Sequence, residues 1–265
     1  MKNQLAIITF FLTLLPLGAQ WLNYPTAGIP RLPDGKPNLA APAPRAADGK
    51  ADLSGLWEPM GPAASTFAGA TPRDPKFSDV GRELQGGLPL QPWAADLIKT
   101  RRAANNKDDP DTQCQPLGPV KMHLHPYPRK MIQLPGLLVI LFERDTAYRQ
   151  IFTDGRPLPV DPQPSYNGYT TGKWEGEALV VETIGIKDGT WLDVTGTPLT
   201  DAAKVTERFR RPSFGRLEID ITIDDPKAYT KPWSIHVSQS FTADTDMLEF
   251  VCLENEKDIP HLVGK

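Results

Sequence analysis

The chain has 265 residues, of which 28 are proline and two are cysteine, and its formal net charge is −3. Proline is therefore about twice as frequent as the roughly 5% typical of proteins. This excludes a helical bundle, because proline removes a helix donor and clashes with the preceding turn. A hydrophobic content of 40% is too high for a disordered chain. We therefore expect a folded, mostly non-helical protein.

The first residues have the pattern of an export signal. Lys2 precedes an apolar run over residues 5–17, and the small residues Gly18 and Ala19 follow it. Residues 1–19 therefore read as a secretory signal peptide. The run is shorter than the roughly 20 residues that a membrane helix needs. We expect a soluble, secreted or periplasmic chain that does not insert into a membrane.

The two cysteines, Cys114 and Cys252, are predicted to form a disulfide, because an exported chain with one cysteine pair usually oxidises it. Two buried free thiols are the alternative. The arginines at positions 208, 210 and 211 lie among carboxylates, which argues against a nucleic-acid surface. We expect a monomer without a nucleic-acid partner.

Proline divides the chain into two parts, since 19 of the 28 prolines lie at or before Pro135. Residues 20–130 are predicted to be an extended strap packed on the core, rich in turns and polyproline segments. The strap contains a short repeat, in which residues 34–39 return as residues 48–53, and one helix is expected over residues 92–105. The predicted disulfide would join strap and core into one domain.

The second part, residues 131–265, alternates between apolar and polar residues in the manner of a sheet. Turn residues separate the runs into hairpins in sequence order. We therefore predict a mainly β fold, an antiparallel up-and-down barrel or a strongly curved sheet. The predicted strands are residues 137–144, 147–152, 166–174, 177–184, 204–211, 216–224, 233–241 and 247–253.

Six short motifs are spread over nearly the whole mature chain: residues 48–57 (DGKADLSGLW), 152–156 (FTDGR), 172–176 (GKWEG), 206–210 (TERFR), 224–226 (DDP) and 252–255 (CLEN). Together they resemble an uncharacterised family of exported bacterial proteins. The resemblance implies a lipocalin-like barrel, by analogy with barrels that begin with a Gly-x-Trp strand, and it implies no catalytic residues.

Hairpin registers place polar side chains on the apolar faces of the predicted strands. Glu207 points inward, pairing Phe142 with Arg149 turns Arg149 inward, and pairing Tyr169 with Glu182 does the same for those two residues. A carboxylate in such a place has a raised pKa unless an arginine compensates it. Glu207, Glu182 and Arg149 are therefore candidate catalytic residues, although a buried Arg–Glu pair that closes the barrel core is the simpler explanation. The predicted ligand-binding residues are Arg149, Tyr169, Glu182, Glu207 and Trp174.

His123 and His125 are a weak candidate for a metal site. An x-His-x-His strand would place two imidazoles on one side, with a third ligand from His261 or Glu254. The two prolines that follow make the segment a poor central strand. We therefore expect neither a metal nor a cofactor.

Familiar catalytic motifs are absent from the sequence. The leading hypothesis is a protein that binds a small, partly apolar molecule in the barrel interior. One alternative is a hydrolase or isomerase that uses Glu207 or Glu182 together with Arg149. Another is a module that binds carbohydrate or a surface partner through its aromatic residues. The sequence leaves the ligand and the reaction open.

Overall fold

The computed structural model of the chain describes residues 24–60, 79–82, 84–252 and 254. The predicted signal peptide lies outside these residues. No helix among them is long and apolar enough to cross a membrane. The fold is mainly β, as predicted, and its centre is a closed barrel.

The described residues contain eleven strands and two α-helices. The strands are β1 Gly55–Pro59, β2 Arg129–Leu134, β3 Leu137–Phe142, β4 Tyr148–Phe152, β5 Tyr169–Glu175, β6 Ala178–Ile184, β7 Thr190–Trp191, β8 Pro198–Leu199, β9 Lys204–Ser213, β10 Arg216–Asp224 and β11 Trp233–Phe241; the helices are α1 Pro92–Ala103 and α2 Gly118–Leu124. Nine of these strands form the barrel, in the order β1-β11-β10-β9-β6-β5-β4-β3-β2, and β7 and β8 form a separate two-residue ladder.

The hairpin of β9 and β10 follows directly from the alternation of its residues. Alternate residues of β10 from Leu217 to Ile223 are buried, and the residues between them are more exposed. Arg210 lies opposite Glu218, and Glu207 lies opposite Ile221. The predicted register is confirmed, and it turns Glu207 into the barrel.

Strand β1 closes the barrel, since it pairs antiparallel with both β11 and β2. Trp57 packs edge-on against Phe241, with ring centroids 5.6 Å apart. A Cβ on Gly55 would lie 2.5 Å from the Phe241 ring, so only glycine fits at that position. The prediction that residues 247–253 form the closing strand is wrong, because residues 247–252 belong to no strand.

One neighbouring pair in the described barrel is parallel, while the other eight are antiparallel. Strands β4 and β5 share a single residue pair, Phe152 and Thr171. A proline-rich connection over residues 153–168 precedes β5. A parallel pair needs such a crossover instead of a tight hairpin. The two strands therefore separate along most of their length.

Helix α1 confirms the predicted helix to within two residues at its end. Helix α2 was not predicted, and all of its residues are buried. Pro119 suits its first turn, because the missing proline N–H has no intrahelical partner there. Helix α2 brings His123 against Glu207, a residue that faces the barrel interior.

The described N-terminal residues lie on the barrel through two similar loops, which contain the sequence repeat. Arg31 and Arg45 each donate a hydrogen bond to the carbonyl of the loop glycine four residues later. Arg31 then pairs with Asp244, and Arg45 pairs with Glu177, at N–O distances of 2.6 Å. The division at residue 130 stays a prediction, and the structure places β1 within the predicted strap.

The predicted disulfide between Cys114 and Cys252 is confirmed, with a Cα–Cα distance of 5.8 Å. It fixes the segment after β11 to the chain that precedes α2. Disulfides persist in oxidising compartments, so the bond fits an extracellular or periplasmic protein.

Candidate functional site

A charged cluster of three side chains lies inside the barrel. Glu207 on β9 accepts a hydrogen bond from Arg149 Nη1 on β4 at 3.0 Å and a second bond from Arg149 Nη2. His123 Nε2 on α2 lies 2.8 Å from Oε1 of the same carboxylate. Glu207 and His123 are fully buried, and Arg149 is 2% exposed. The strands and α2 therefore bring together residues that are far apart in sequence.

Hydrogen bonds extend this cluster to both sides. Arg149 Nη2 donates to Thr183 Oγ1 on β6 at 2.8 Å, and the hydroxyls of Thr183 and Thr170 lie 3.1 Å apart. On the other side, Gln239 Nε2 on β11 lies 3.4 Å from His123 Nδ1. A continuous polar network therefore crosses the barrel from β5 to β11.

The protonation states of the cluster follow from burial and charge. Burial raises the pKa of Glu207, but the charge of Arg149 and the hydrogen bonds from His123 and Arg149 outweigh it and lower the pKa to about 2. Burial lowers the pKa of His123 to about 4, against the opposing effect of Glu207. At neutral pH the carboxylate is therefore ionised and the imidazole is neutral, donating its Nε2–H to Glu207. Gln239 can then donate to Nδ1.

A cleft opens where β4 and β5 separate. Its volume is about 660 Å³, within the range of roughly 300–1,000 Å³ that is typical of small-molecule sites. Arg149 and Thr170 line the cleft and also belong to the buried network, so the two features adjoin. The aromatic side chains in its lining are Tyr148, Phe152, Tyr166 and Tyr169; its polar lining includes Asp145, Gln150, Asn167 and Lys187.

The structure brings together two of the predicted site residues in the interior, Arg149 and Glu207. The predicted pairing of Arg149 with Phe142 is wrong, because Arg149 pairs with Ile140. The turn after β3 is longer than a two-residue hairpin, and the resulting shift of two residues keeps Arg149 on the same face. The inward position of Arg149 was therefore correct, although its register was wrong.

The predicted interior position of Glu182 is wrong. Tyr169 pairs with Ile184, and Glu182 pairs with Thr171. The Glu182 side chain is 42% exposed on the outer face, where it forms an ion pair with Lys204. Strand β6 carries apolar residues on both faces, so alternation does not determine which face is buried.

The two aromatic residues that were predicted to bind a ligand, Tyr169 and Trp174, lie in different cavities. Tyr169 lines the cleft, where its ring stacks on Phe152 with centroids 5.5 Å apart. Trp174 lies in a separate cavity of about 390 Å³, near Leu134 and Leu179. Only Tyr169 of this pair adjoins the buried network.

The x-His-x-His strand that this metal site would need does not form, because His123 lies in α2. His123 contacts Glu207, whereas His125 Nε2 lies 3.5 Å from Asp111. Residues two apart on a helix and its end point in different directions, so the imidazoles do not share a site. Glu254 is described, and His261 lies outside the described residues.

Sequence reasoning missed the position of His123 and a second buried arginine, Arg129. Arg129 Nη1 donates to the carbonyl of Met122 at 2.9 Å, and its remaining nitrogens have no hydrogen-bond partner within the described residues. Burial lowers the pKa of Arg129 to about 9. The alternation of Arg129 with the buried Met131 was the available signal. Residue 129 lies outside the predicted strands, so its inward position was not predicted.

No known family model matches the chain, and no curated protein matches it significantly.

Proposed function

We propose that the protein binds a small, partly apolar molecule in the cleft between β4 and β5. The observation that carries the proposal is the single residue pair between these strands. Their separation interrupts an otherwise paired barrel wall and leaves a cleft of about 660 Å³. Ligand sites of this size combine apolar and aromatic walls with a few polar groups, and the lining of the cleft has this composition.

The barrel interior is a poorer site than the cleft. Large side chains, among them Trp57 and Phe209, fill it and are fully buried. The carboxylate of Glu207 is already held by Arg149 and His123. The ligand is therefore proposed to lie over Arg149 and Thr170, and the buried network supports the floor of the cleft.

Three tyrosines, Tyr148, Tyr166 and Tyr169, line the cleft. Tyr148 is 63% exposed at the cleft, and Tyr166 carries Lys187 over its ring at 4.7 Å. Aromatic rings contribute a large apolar area together with a polar tip. A flat molecule with apolar and polar edges is the chemistry that this lining fits best.

The test is a fluorescence titration with N-phenylnaphthylamine, an uncharged, partly apolar probe. We expect saturable binding, and Tyr148→Ala should weaken it by roughly tenfold, because one lost aromatic contact costs on the order of 1–1.5 kcal/mol. Tyr24→Ala is the matched control, since Tyr24 is 76% exposed and lines a different cavity. Absence of saturable binding, or loss of binding in Tyr24→Ala alone, would contradict the proposal.

The exposed ring of Tyr148 also favours a second candidate, binding of a carbohydrate by stacking. A panel of soluble oligosaccharides in the same titration, used to compete with the probe, separates the two candidates. Nothing comparable favours the hydrolase or isomerase hypothesis, because Glu207 is ionised, paired and fully buried.

We further propose that the chain is an exported monomer, related to the exported bacterial family that its motifs resemble. The disulfide supports export. The closed barrel supports the lipocalin-like appearance, although the proposed ligand site lies in the wall and not in the lumen. Intact mass after alkylation of the secreted and cell-associated fractions tests the location, the cleavage and the disulfide together.

A further inference from the structure

The disulfide adjoins one end of the cleft. Cys114 lines the cleft, and both cysteines are partly exposed. A small molecule in the cleft therefore lies next to Cys114. Accessible disulfides are more readily reduced than buried structural ones.

A guanidinium lies beside the other sulfur. Arg144 Nη2 is 3.9 Å from Cys252 Sγ. Asp111 holds Arg144 in place through a 2.7 Å ion pair and a backbone hydrogen bond. A neighbouring arginine stabilises a thiolate, so Cys252 is the sulfur that is better suited to leave when the disulfide is attacked.

A buried carboxyl group completes the arrangement. The Asp145 side chain is 7% exposed, and one of its oxygens lies within 4.8 Å of both sulfurs. Neither of its oxygens accepts a hydrogen bond from the described part of the chain. Arg144 Nε approaches it at 3.5 Å, and burial raises the pKa of Asp145. Such a group can pass a proton to or from a sulfur.

Backbone strain is concentrated at the same end of the cleft. Cys114, Asp145 and Thr146 have φ values of 58°, 61° and 49°. They are three of the six non-glycine residues with positive φ in the described ranges. The left-handed region is costly for such residues, especially for a β-branched threonine, and strained residues cluster at functional sites.

We propose that the Cys114–Cys252 disulfide is a reactive group that oxidises a low-molecular-weight thiol reaching it through the cleft. A small thiol is the substrate class because the cleft, of about 660 Å³, admits a molecule of that size to Cys114. The proposal does not depend on the ligand proposed above. It requires only access to Cys114.

The chemistry balances as a thiol–disulfide exchange. A substrate thiolate attacks Cys114 Sγ, the S–S bond breaks, and its electron pair leaves on Cys252 Sγ beside Arg144. A second substrate thiolate then attacks the substrate sulfur of the mixed disulfide and releases the Cys114 thiolate. The two protons lost by the substrate thiols end on the protein thiols, with Asp145 positioned to exchange them. Two thiols are oxidised to one disulfide, and the protein disulfide is reduced.

Reduced glutathione is the probe for the test. The full chain with its disulfide intact is incubated with glutathione, quenched with iodoacetamide and analysed by mass spectrometry over time. We expect reduction in native buffer at a rate that low urea does not change, because the reaction does not require unfolding. Asp145→Asn and Arg144→Gln should slow it by about tenfold. Asp201→Asn and Arg208→Gln, which break exposed ion pairs elsewhere, should not.

The trapped intermediate provides a second measurement. We expect glutathione on Cys114 and the alkyl group on Cys252. Glutathione on Cys252 would overturn the assignment of the attacked sulfur. A rate that rises with urea in parallel with global unfolding, or equal rates in Asp145→Asn and its control, would overturn the proposal and leave the disulfide as a cross-link only.

Discussion

Replacing Glu207 by Gln tests whether the buried cluster is an integral part of the fold. The carboxylate accepts two hydrogen bonds from Arg149 and one from His123. An amide carries one acceptor oxygen, and its NH₂ group would face a donor, so at least one charge-assisted bond worth about 1.5–3 kcal/mol is lost. The charge of Arg149 is also left without a partner. Removing one member of a buried ion pair costs about 3–5 kcal/mol, and we expect Glu207→Gln to lower the free energy of unfolding by this amount.

Urea denaturation followed by tryptophan fluorescence measures this loss. Glu182→Gln is the matched control, since Glu182 lies in the same barrel with an exposed partner, Lys204. Exposed ion pairs contribute about 0–1 kcal/mol to stability, so the free energy of unfolding of the control should stay close to that of the wild type. The double variant Glu207→Gln with Arg149→Met should lose less free energy of unfolding than its two single variants lose together. The reason is that the double variant leaves no unpaired charge in the barrel. A loss below about 1 kcal/mol in Glu207→Gln would refute the reasoning.

Three further predictions use the same unfolding assay. Stability should fall as the pH drops from 6.5 towards 4, because the unfolded chain protonates His123 while the fold holds its pKa at about 4. It should fall again from pH 4.5 towards 2 as Glu207 is protonated; a flat profile from pH 6.5 to 3 would contradict both shifts. Thr183→Val should cost about 1–3 kcal/mol, because Arg149 and a neighbouring hydroxyl lose a partner, and no measurable loss would argue against the network. Gly168→Ala should lower the free energy of unfolding by about 3 kcal/mol or more, since its Cβ would lie 2.6 Å from the Thr183 side chain. Gly176→Ala is the control, because Gly176 has a similar φ but open space around it, and it should cost only about 1–2 kcal/mol. Equal losses in the two variants would contradict the steric argument.

The sequence by itself determined the β class, the disulfide and the inward position of Glu207. Strand β10 shows why, because its leucine and three isoleucines alternate with charged residues and one threonine. One face had to be buried, and pairing Arg210 with Glu218 across the hairpin then set the register. The structure keeps this register beyond a β-bulge between Arg216 and Glu218. Arg149 could be placed inward for the same reason, since a shift of two residues does not change the face of a strand.

Only the tertiary structure decided what surrounds that carboxylate. The outward position of Glu182 could not be predicted, because β6 carries apolar residues on both faces and the neighbouring strands decide which face is buried. His123 reaches Glu207 because residues 118–124 form a buried helix, 84 positions away in sequence. The cleft exists because β4 and β5 share one parallel pair. The local sequence pattern predicts which faces of a strand are apolar. The closure of a barrel and the path of its crossover depend on contacts between segments that are distant in sequence, and a local pattern does not predict those contacts.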